Sequence, residues 1–589
     1  GLLFQTHFVS LLHTGLASTL AFLLLVFGCT KVRCPQTFSR QKLTAVVAVL
    51  LPVLYIILKL CDAAVPLPHG DPLTYHLRGP LLWVENRRIV FPNEIPTAAI
   101  CNLVEMFFLM ILEWLKIIPY VDPTSSGVAA LRGRLIGQIS GQWLSITVGL
   151  TSTLLILGQL WKNLETKFTL KKTTPALLLL YVWISAMAPQ TEWLVPLAKT
   201  NWLATAFVLC PLVLFSNPFL MGVSFAAAYW AKATNLLVLL PIGLSLTLLF
   251  CTNSKMRKKI PHLIAGALLI SVPFLMRNWI WTKNPFYPSE LGPFHSVLIS
   301  QSDRLDISHF FAPFHIPPPQ YYWDALINLI APFLVEKKLR FVTGSLPYLT
   351  GVAALIGAVS VGLSQKKWRK PAALLGIGVL SCIFWIGIII GPRFFEPHIL
   401  PALLLLRMSG IFATAWVLSR VLSQKSQPVI QSIFWIFIGA TSVNLPFHVL
   451  WKDVWPLANR KVSMENSVYS MPHGRIYQCL EEKLHSGAKP YPRIVSDWLN
   501  TTYYVTGPQI PSSGNSAPLE AELNGKRTLA ERLSHLKTVG FKYVWMSYGC
   551  DSQHGVNWPA CSVLGDYSVH DFAESDVICQ EGGTFVLKL

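Results

Sequence analysis

The sequence predicts a polytopic α-helical membrane protein that ends in a soluble α/β segment. Three observations carry this. Uncharged apolar stretches of about 18 residues or more recur through the first three quarters of the chain, each long enough to cross a hydrocarbon core as a helix. Only 13% of the 589 residues are charged, against roughly 25% in a soluble protein, and 52% are apolar. The formal charge of +19 is unevenly spread: residues 450–589 hold 13 basic and 14 acidic side chains, so the whole excess lies in the first 449 residues. Such a composition excludes disordered, collagen-like and small disulfide-framework proteins, while 20 Trp and 32 Phe suit a chain with interfacial aromatics.

The basic excess sits in short clusters beside apolar spans. These are Lys31, Arg33, Arg40 and Lys42; Lys162, Lys167, Lys171 and Lys172; Lys255, Arg257, Lys258 and Lys259; Lys366, Lys367, Arg369 and Lys370; and Arg420 with Lys425. Short basic loops flanking membrane helices mark the cytoplasmic side. The basic charge therefore reports topology and calls for no nucleic-acid partner.

Twelve spans are expected, at about 8–28, 43–60, 135–160, 174–190, 202–216, 221–231, 234–251, 262–279, 344–363, 372–391, 398–419 and 429–449. Residues 1–28 lack a basic n-region and an A-x-A cleavage site, so they read as a membrane helix rather than a signal peptide. With the five basic clusters cytoplasmic, alternation puts 61–134, 191–201, 280–343 and 450–589 on the far side. The first of these loops has six basic and seven acidic residues. Within it, Ala98–Leu115 is apolar but interrupted by Glu105 and Glu113. Carboxylates facing lipid cost several kcal/mol, so this stretch is expected to lie at the interface as a helix.

The chain thus divides into a transmembrane part, 1–449, and an extracytoplasmic part, 450–589. In the latter, apolar runs Arg493–Ser496, Tyr543–Met546 and Thr584–Leu587 read as strands, and Thr528–Val539 as a helix. Four of the eleven cysteines lie there, Cys479, Cys550, Cys561 and Cys579, and an oxidising compartment allows two disulfides in three pairings.

The first far-side loop carries the chemistry. It presents Asp71, Tyr75, His76 and Arg78, then an amphipathic stretch with Trp83. Asp71 at the membrane surface can take the proton of an acceptor hydroxyl as it attacks a lipid-linked phosphate substrate. Asp followed by Pro72 also suits a helix N-cap, and the two roles are compatible. His69, Asp71 and His76 are metal-ligand types, but their spacing fits no common zinc motif. Three cations fall at far-side helix ends, against the positive-inside trend: Lys232, Arg277 (followed by Asn278) and Arg393. A phosphate ligand at the outer leaflet explains them together; singly, each can snorkel or pair with an acid such as Glu396. P-loop, GxSxG, HExxH and CxxC motifs are absent, and no midplane polar pathway is evident for a transporter.

At these residues the sequence resembles the GT-C superfamily of integral-membrane glycosyltransferases, in the branch of protein O-mannosyltransferases and bacterial aminoarabinose transferases. D-P-L-T-Y-H-L (71–77) is similar to the first-loop pattern with its catalytic Asp, and A-K-T-N-W-L-A-T-A-F (198–207) resembles the second-loop motif. G-V-S-F-A-A-A-Y-W-A-K (222–232), R-N-W-I-W-T-K-N-P-F-Y-P (277–288) and P-R-F-F-E-P-H-I-L-P (392–401) follow in order, so the resemblance covers roughly 60–450. It implies inverting transfer of a sugar from a polyprenyl-phosphate donor. Asp71 would be the base, Lys232, Arg277 and Arg393 would hold the phosphate, and Tyr75, His76, Arg78 and Asn278 would line the site.

Two departures stand out. Asn201 replaces the Asp of many relatives, with Glu192 as a conceivable substitute, which puts divalent-metal dependence in doubt. Lys283 stands where Gly is usual. Two other readings are kept open: a catalytically silent scaffold subunit of a membrane complex, and a lipid or oligosaccharide transporter. The motif style fits a bacterial inner membrane; Asn500 in N-T-T is a glycosylation acceptor if the source is eukaryotic.

Overall fold

The protein is described by a computed structural model over residues 56–64, 73–91, 99, 102–116, 127–168, 200–243, 251, 257–287, 293–294, 352–360, 364, 400–409, 474–485, 493–496, 503, 509–510, 528–547 and 572–589, with one or two residues omitted within some stretches. The expected spans at 8–28, 174–190, 372–391 and 429–449 lie outside these residues. Among the described residues, Ala130–Leu160 and Ile260–Thr282 are long and apolar enough to cross a membrane, and Asn201–Leu212, Pro218–Ala231 and Leu400–Ser409 are shorter apolar helices.

The first loop supplies α1 (Arg78–Asn86) and α2 (Leu103–Leu115). The amphipathic stretch around Trp83 forms α1 but does not lie on a surface. Every residue of α1 from Arg78 to Val84 is buried, Trp83 included, because the helix is enclosed by the bundle rather than laid on its surface. With thirteen residues, α2 is about 20 Å long, too short to span a bilayer. Its buried face is Val104, Glu105, Phe108, Leu112 and Leu115. Phe107, Met110 and Trp114 are exposed on the other side, the pattern of a helix suited to an interface.

The next helix runs continuously through α3 (Gly127–Leu144), a π-helical turn Ser145–Leu150 and α4 (Thr151–Phe168). It begins eight residues before the expected span at 135. The extra residue of a π turn opens carbonyls that need donors. Thr151 Oγ1 donates to Ile146 O at 3.1 Å and Thr153 Oγ1 to Gly149 O at 2.9 Å. Thr153 also reaches Trp202 O at 3.1 Å, tying the turn to α5 (Asn201–Leu209). A side chain at Gly149 would strike the Trp202–Leu203 backbone, so glycine permits this approach. One buried face of α3 is polar, with Arg134, Gln138 and Gln142, and Gln138 donates to Gln142 at 2.9 Å. The sequence showed no such stripe inside the spans, because three residues four apart are conspicuous only once the buried face is known.

Helices α6 (Pro218–Ala231) and α7 (Ile260–Thr282) form the tightest helix pair. Asn217 caps α6 by accepting from Leu220 N, with Pro218 preset for the first turn. A Cβ at Gly222 would collide with Leu263 O, and one at Gly266 with Phe219 O. Small residues let the backbones touch, the device by which helices associate where lipid offers no hydrophobic gain. Eight residues on, Trp230 stacks on Phe274 with centroids 4.9 Å apart and donates to Ser271 Oγ at 3.2 Å. Position 222 thus faces 263–266 and position 230 faces 271–274. The helices run parallel and end on one side. Helix α8 (Leu400–Ser409) packs Leu400, Leu404 and Met408 into the main core and Leu403 and Leu406 into a second one.

The C-terminal residues add α9 (Gly474–His485), β1 (Arg493–Ser496), β2 (Gln509–Ile510), α10 (Leu529–Thr538), β3 (Phe541–Ser547), β4 (Val577–Glu581) and β5 (Thr584–Lys588). The sheet order is β2-β1-β3-β5-β4, with β1 parallel to β2 and β3, and β5 antiparallel to β3 and β4. Thr528 and Glu531 form a capping box on α10, and Gly540, at φ +92°, ends it and starts β3. Side-chain alternation divides the sheet's faces. Val495, Val544, Phe585 and Leu587 pack with Leu536 of α10, whereas Ile494, Trp545 and Val586 join α9 and the helical core of α2 and α3. Cys479 of α9 and Cys579 of β4 form a disulfide, one of the three expected pairings' bonds; Cys550 and Cys561 lie outside the described residues.

Candidate functional site

The parallel ends of α6 and α7 carry two cations to one side. Lys232 caps α6 in an extended conformation, its N–H bonded to Ala228 O and Tyr229 O. Its ammonium donates to Asn201 Oδ1, the first residue of α5. Towards the end of α7, the Arg277 guanidinium donates to Asn102 Oδ1 at 2.7 Å, Ala99 O at 3.1 Å and Asn278 Oδ1 at 2.7 Å. It also lies over the rings of Phe274 and Trp281, 4.9 and 4.7 Å from their centroids. All these oxygens are neutral. These contacts orient the two cations.

The turn after α7 is stitched by amides. Asn278 Nδ2 donates to Pro285 O and Tyr287 O at 3.3 and 3.2 Å, Thr282 Oγ1 to Asn278 O at 2.9 Å, and Phe286 N to Asn284 Oδ1 at 2.9 Å. Lys283 occupies the left-handed cap with φ +59°. A left-handed backbone favours Gly, and this chain carries Lys there.

Helix α2 ties the first loop to this end of the bundle. Asn102, just before it, takes Arg277, and Glu105, three residues on, meets His76 Nδ1 at 2.5 Å. Both members of the second pair are buried. A separate cluster lies between α1 and α3. Glu85 accepts from Arg78 at 3.3 Å and from Arg134 at 3.2 Å, and both arginines are fully buried. Above it, Tyr503 donates to Arg134 O at 2.8 Å. Burial raises the Tyr503 phenol above its ordinary value, opposed by the charges of Arg134 and Arg78 and reinforced by Glu85.

Of the sequence candidates, Asp71, Tyr75, Glu192 and Arg393 lie outside the described residues. Lys232, Arg277 and Asn278 come together at the helix ends with Asn201, and His76 joins the same turn of α2. Arg78 is held apart, on Glu85. Sequence reasoning missed Asn102, Glu105, Glu85, Arg134 and Tyr503. Helical periodicity held a signal for two. Glu105 falls on the face of Val104 and Phe108, whereas Glu113 falls on the exposed face and pairs with Lys116. Glu85 likewise lies seven residues, about two helical turns, from Arg78; the remaining pairings join residues 49 to 369 apart and have no local signature. Asn201 Oδ1 already accepts from an ammonium, which does not fit a divalent cation on that oxygen, and no cluster of three His, Cys, Asp or Glu occurs among the described residues.

No protein-family model and no curated protein matches the chain. Among solved structures it is similar to ArnT from Cupriavidus metallidurans bound to undecaprenyl phosphate, at 13% identity and TM-score 0.48, over 92% of this chain and 97% of that one. It is also similar to the archaeal oligosaccharyltransferase AglB from Archaeoglobus fulgidus, in complex with an inhibitory peptide and a dolichol-phosphate, at 11% identity and TM-score 0.46, over 88% of this chain and 71% of that one.

Proposed function

We propose that the chain is a membrane glycosyltransferase that moves a sugar from a polyprenyl-phosphate donor to a lipid, glycan or protein acceptor. One observation carries the reading: Lys232 and Arg277 end two parallel helices on one side, each aimed by neutral oxygens. A phosphate diester there meets two cations presented from one side. The acceptor oxygen attacks the anomeric carbon, its proton passes to the Asp71 carboxylate, and the bond from that carbon to the phosphate oxygen breaks with inversion. Polyprenyl phosphate leaves, its gained charge stabilised by Lys232, Arg277 and Arg393. On this reading the chemistry lies at the far side of a bacterial inner membrane, in keeping with the twelve spans and sided basic loops expected from the sequence, with 450–589 as a cap over it.

The test uses the purified full chain in lipid vesicles, offered polyprenyl-phosphate mannose, glucose and aminoarabinose with membrane acceptors, and follows release of polyprenyl phosphate. Asp71→Asn should abolish release while the protein stays folded. Unchanged function of that variant in cells would favour a silent scaffold, and sugar-lipid flux across vesicles without release would favour a transporter.

A further inference from the structure

Asn201 is the residue whose chemistry the transfer reading does not absorb. Relatives with Asp here would present a carboxylate; this chain presents an amide. Its two ends have separate fates. Oδ1 accepts from the Lys232 ammonium, and that contact fixes which end is oxygen, since an ammonium only donates. Nδ2 therefore faces another way. It is buried, in a residue only 3% exposed, and has no hydrogen-bond partner among the described residues. Leaving such a donor unmet costs about 1–3 kcal/mol. The next residue, Trp202, has its Nε1 in the same condition. Both open the first turn of the nine-residue helix α5, where Thr200 at the N-cap makes no side-chain cap and the helix dipole is positive.

We infer that Asn201 is an anion ligand: with Lys232 and the N-terminus of α5 it forms a cradle for a phosphate oxygen, Nδ2 donating beside the ammonium. Asn201 is then neither base nor metal ligand. An amide suits this role because a carboxylate would remove the donor and set a negative charge beside the phosphate. The assignment rests on the phosphate reading for the identity of the ligand, while its geometry stands on Asn201 with Lys232 and the first turn of α5. The phosphate can belong to a lipid carrier or be free in solution.

The experiment measures binding of undecaprenyl phosphate in detergent micelles and, separately, of inorganic phosphate, to the full chain and to Asn201→Asp, Asn201→Ser and Lys232→Met. Asn201→Asp should lose at least about tenfold in affinity for the lipid phosphate, as a charge-assisted bond is removed and a repulsion added. Its melting temperature without ligand should not fall, because the new carboxylate pairs with Lys232. A purely structural asparagine would not separate the two readouts. If Asn201→Asp misfolds, Asn201→Ser, which keeps a good helix start and puts a shorter hydroxyl in place of the amide donor, carries the test. Binding of the lipid by the wild type with Asn201→Asp and Asn201→Ser undiminished overturns the cradle and leaves the transfer reading intact. Binding of inorganic phosphate alone, sensitive to Asn201, keeps the cradle and removes the lipid donor. Failure of the wild type to bind either ligand overturns both.

Discussion

Four cations of this protein are fixed in two contrasting ways. Arg78 and Arg134, between α1 and α3, are fully buried and share the Glu85 carboxylate. Lys232 and Arg277, at the ends of α6 and α7, are part-buried and bonded to amide and carbonyl oxygens. A carboxylate offsets a cation's charge; an amide oxygen only orients it. The first pair therefore reads as structure, in which the arginines hold the first loop to the long helix under Tyr503. In the second, neutral oxygens help to orient two cations at the helix ends, the place the proposed transfer needs them. Charge alone does not distinguish a binding residue from a structural one; the chemistry of the partner does.

Substitutions on each side should break that contrast in opposite ways. The largest effect is expected from Glu85→Gln, which leaves two buried guanidiniums without their shared anion. Breaking a buried pair costs about 3–5 kcal/mol, and the side chain's 22% exposure sets the low end, so melting should shift down by roughly 3 kcal/mol equivalent. An unchanged melting temperature would mean the cluster does not hold the loop. Asn102→Ala should do the reverse. Arg277 loses its 2.7 Å acceptor, and the Michaelis constant for the polyprenyl-phosphate donor should rise by about tenfold to a hundredfold, for the roughly 1.5–3 kcal/mol of a bond to a charged group, with kcat much less affected.

Smaller effects sharpen the same comparison. Tyr503→Phe keeps the ring buried and deletes one bond to Arg134 O, at a cost of about 1 kcal/mol. Because burial raises the Tyr503 phenol, the folded state holds its proton more tightly than the unfolded chain. Its contribution is complete below about pH 10 and declines as pH rises beyond that. The advantage of the wild type over the Tyr503→Phe variant in a melting series should therefore hold up to about pH 10 and shrink above it. Smallest is Lys283→Gly. Relief of the left-handed backbone should add about 0.5–1 kcal/mol of stability, partly offset by the freer unfolded chain, with transfer unchanged.

How much was legible beforehand follows from the range of each signal. The helix 262–279, the capped helix after Thr528 and three strands of the sheet were readable because apolar period, caps and turn glycines act within a few residues. Lys232 and Arg277 were readable as a pair because each broke the charge rule on the same side. Glu105 was read only as one of two carboxylates that hold the stretch at the interface, since its partner His76 lies 29 residues away and only the buried face of α2 separates it from Glu113. The Asn201 amide was noted as a departure, yet its meaning depended on which way each end faced.

By itself, then, the sequence determined the apolar periods, the sidedness of its charges and the residue types available at each helix end, because these are properties of local chain and solvent. Only the tertiary structure decided which cation meets a carboxylate and which meets an amide. That choice depends on backbones approaching at Gly149, Gly222 and Gly266, and on contacts such as Tyr503 on Arg134 that close loops of hundreds of residues. Partners so distant in the chain are specified by packing, and packing is a property of the whole fold.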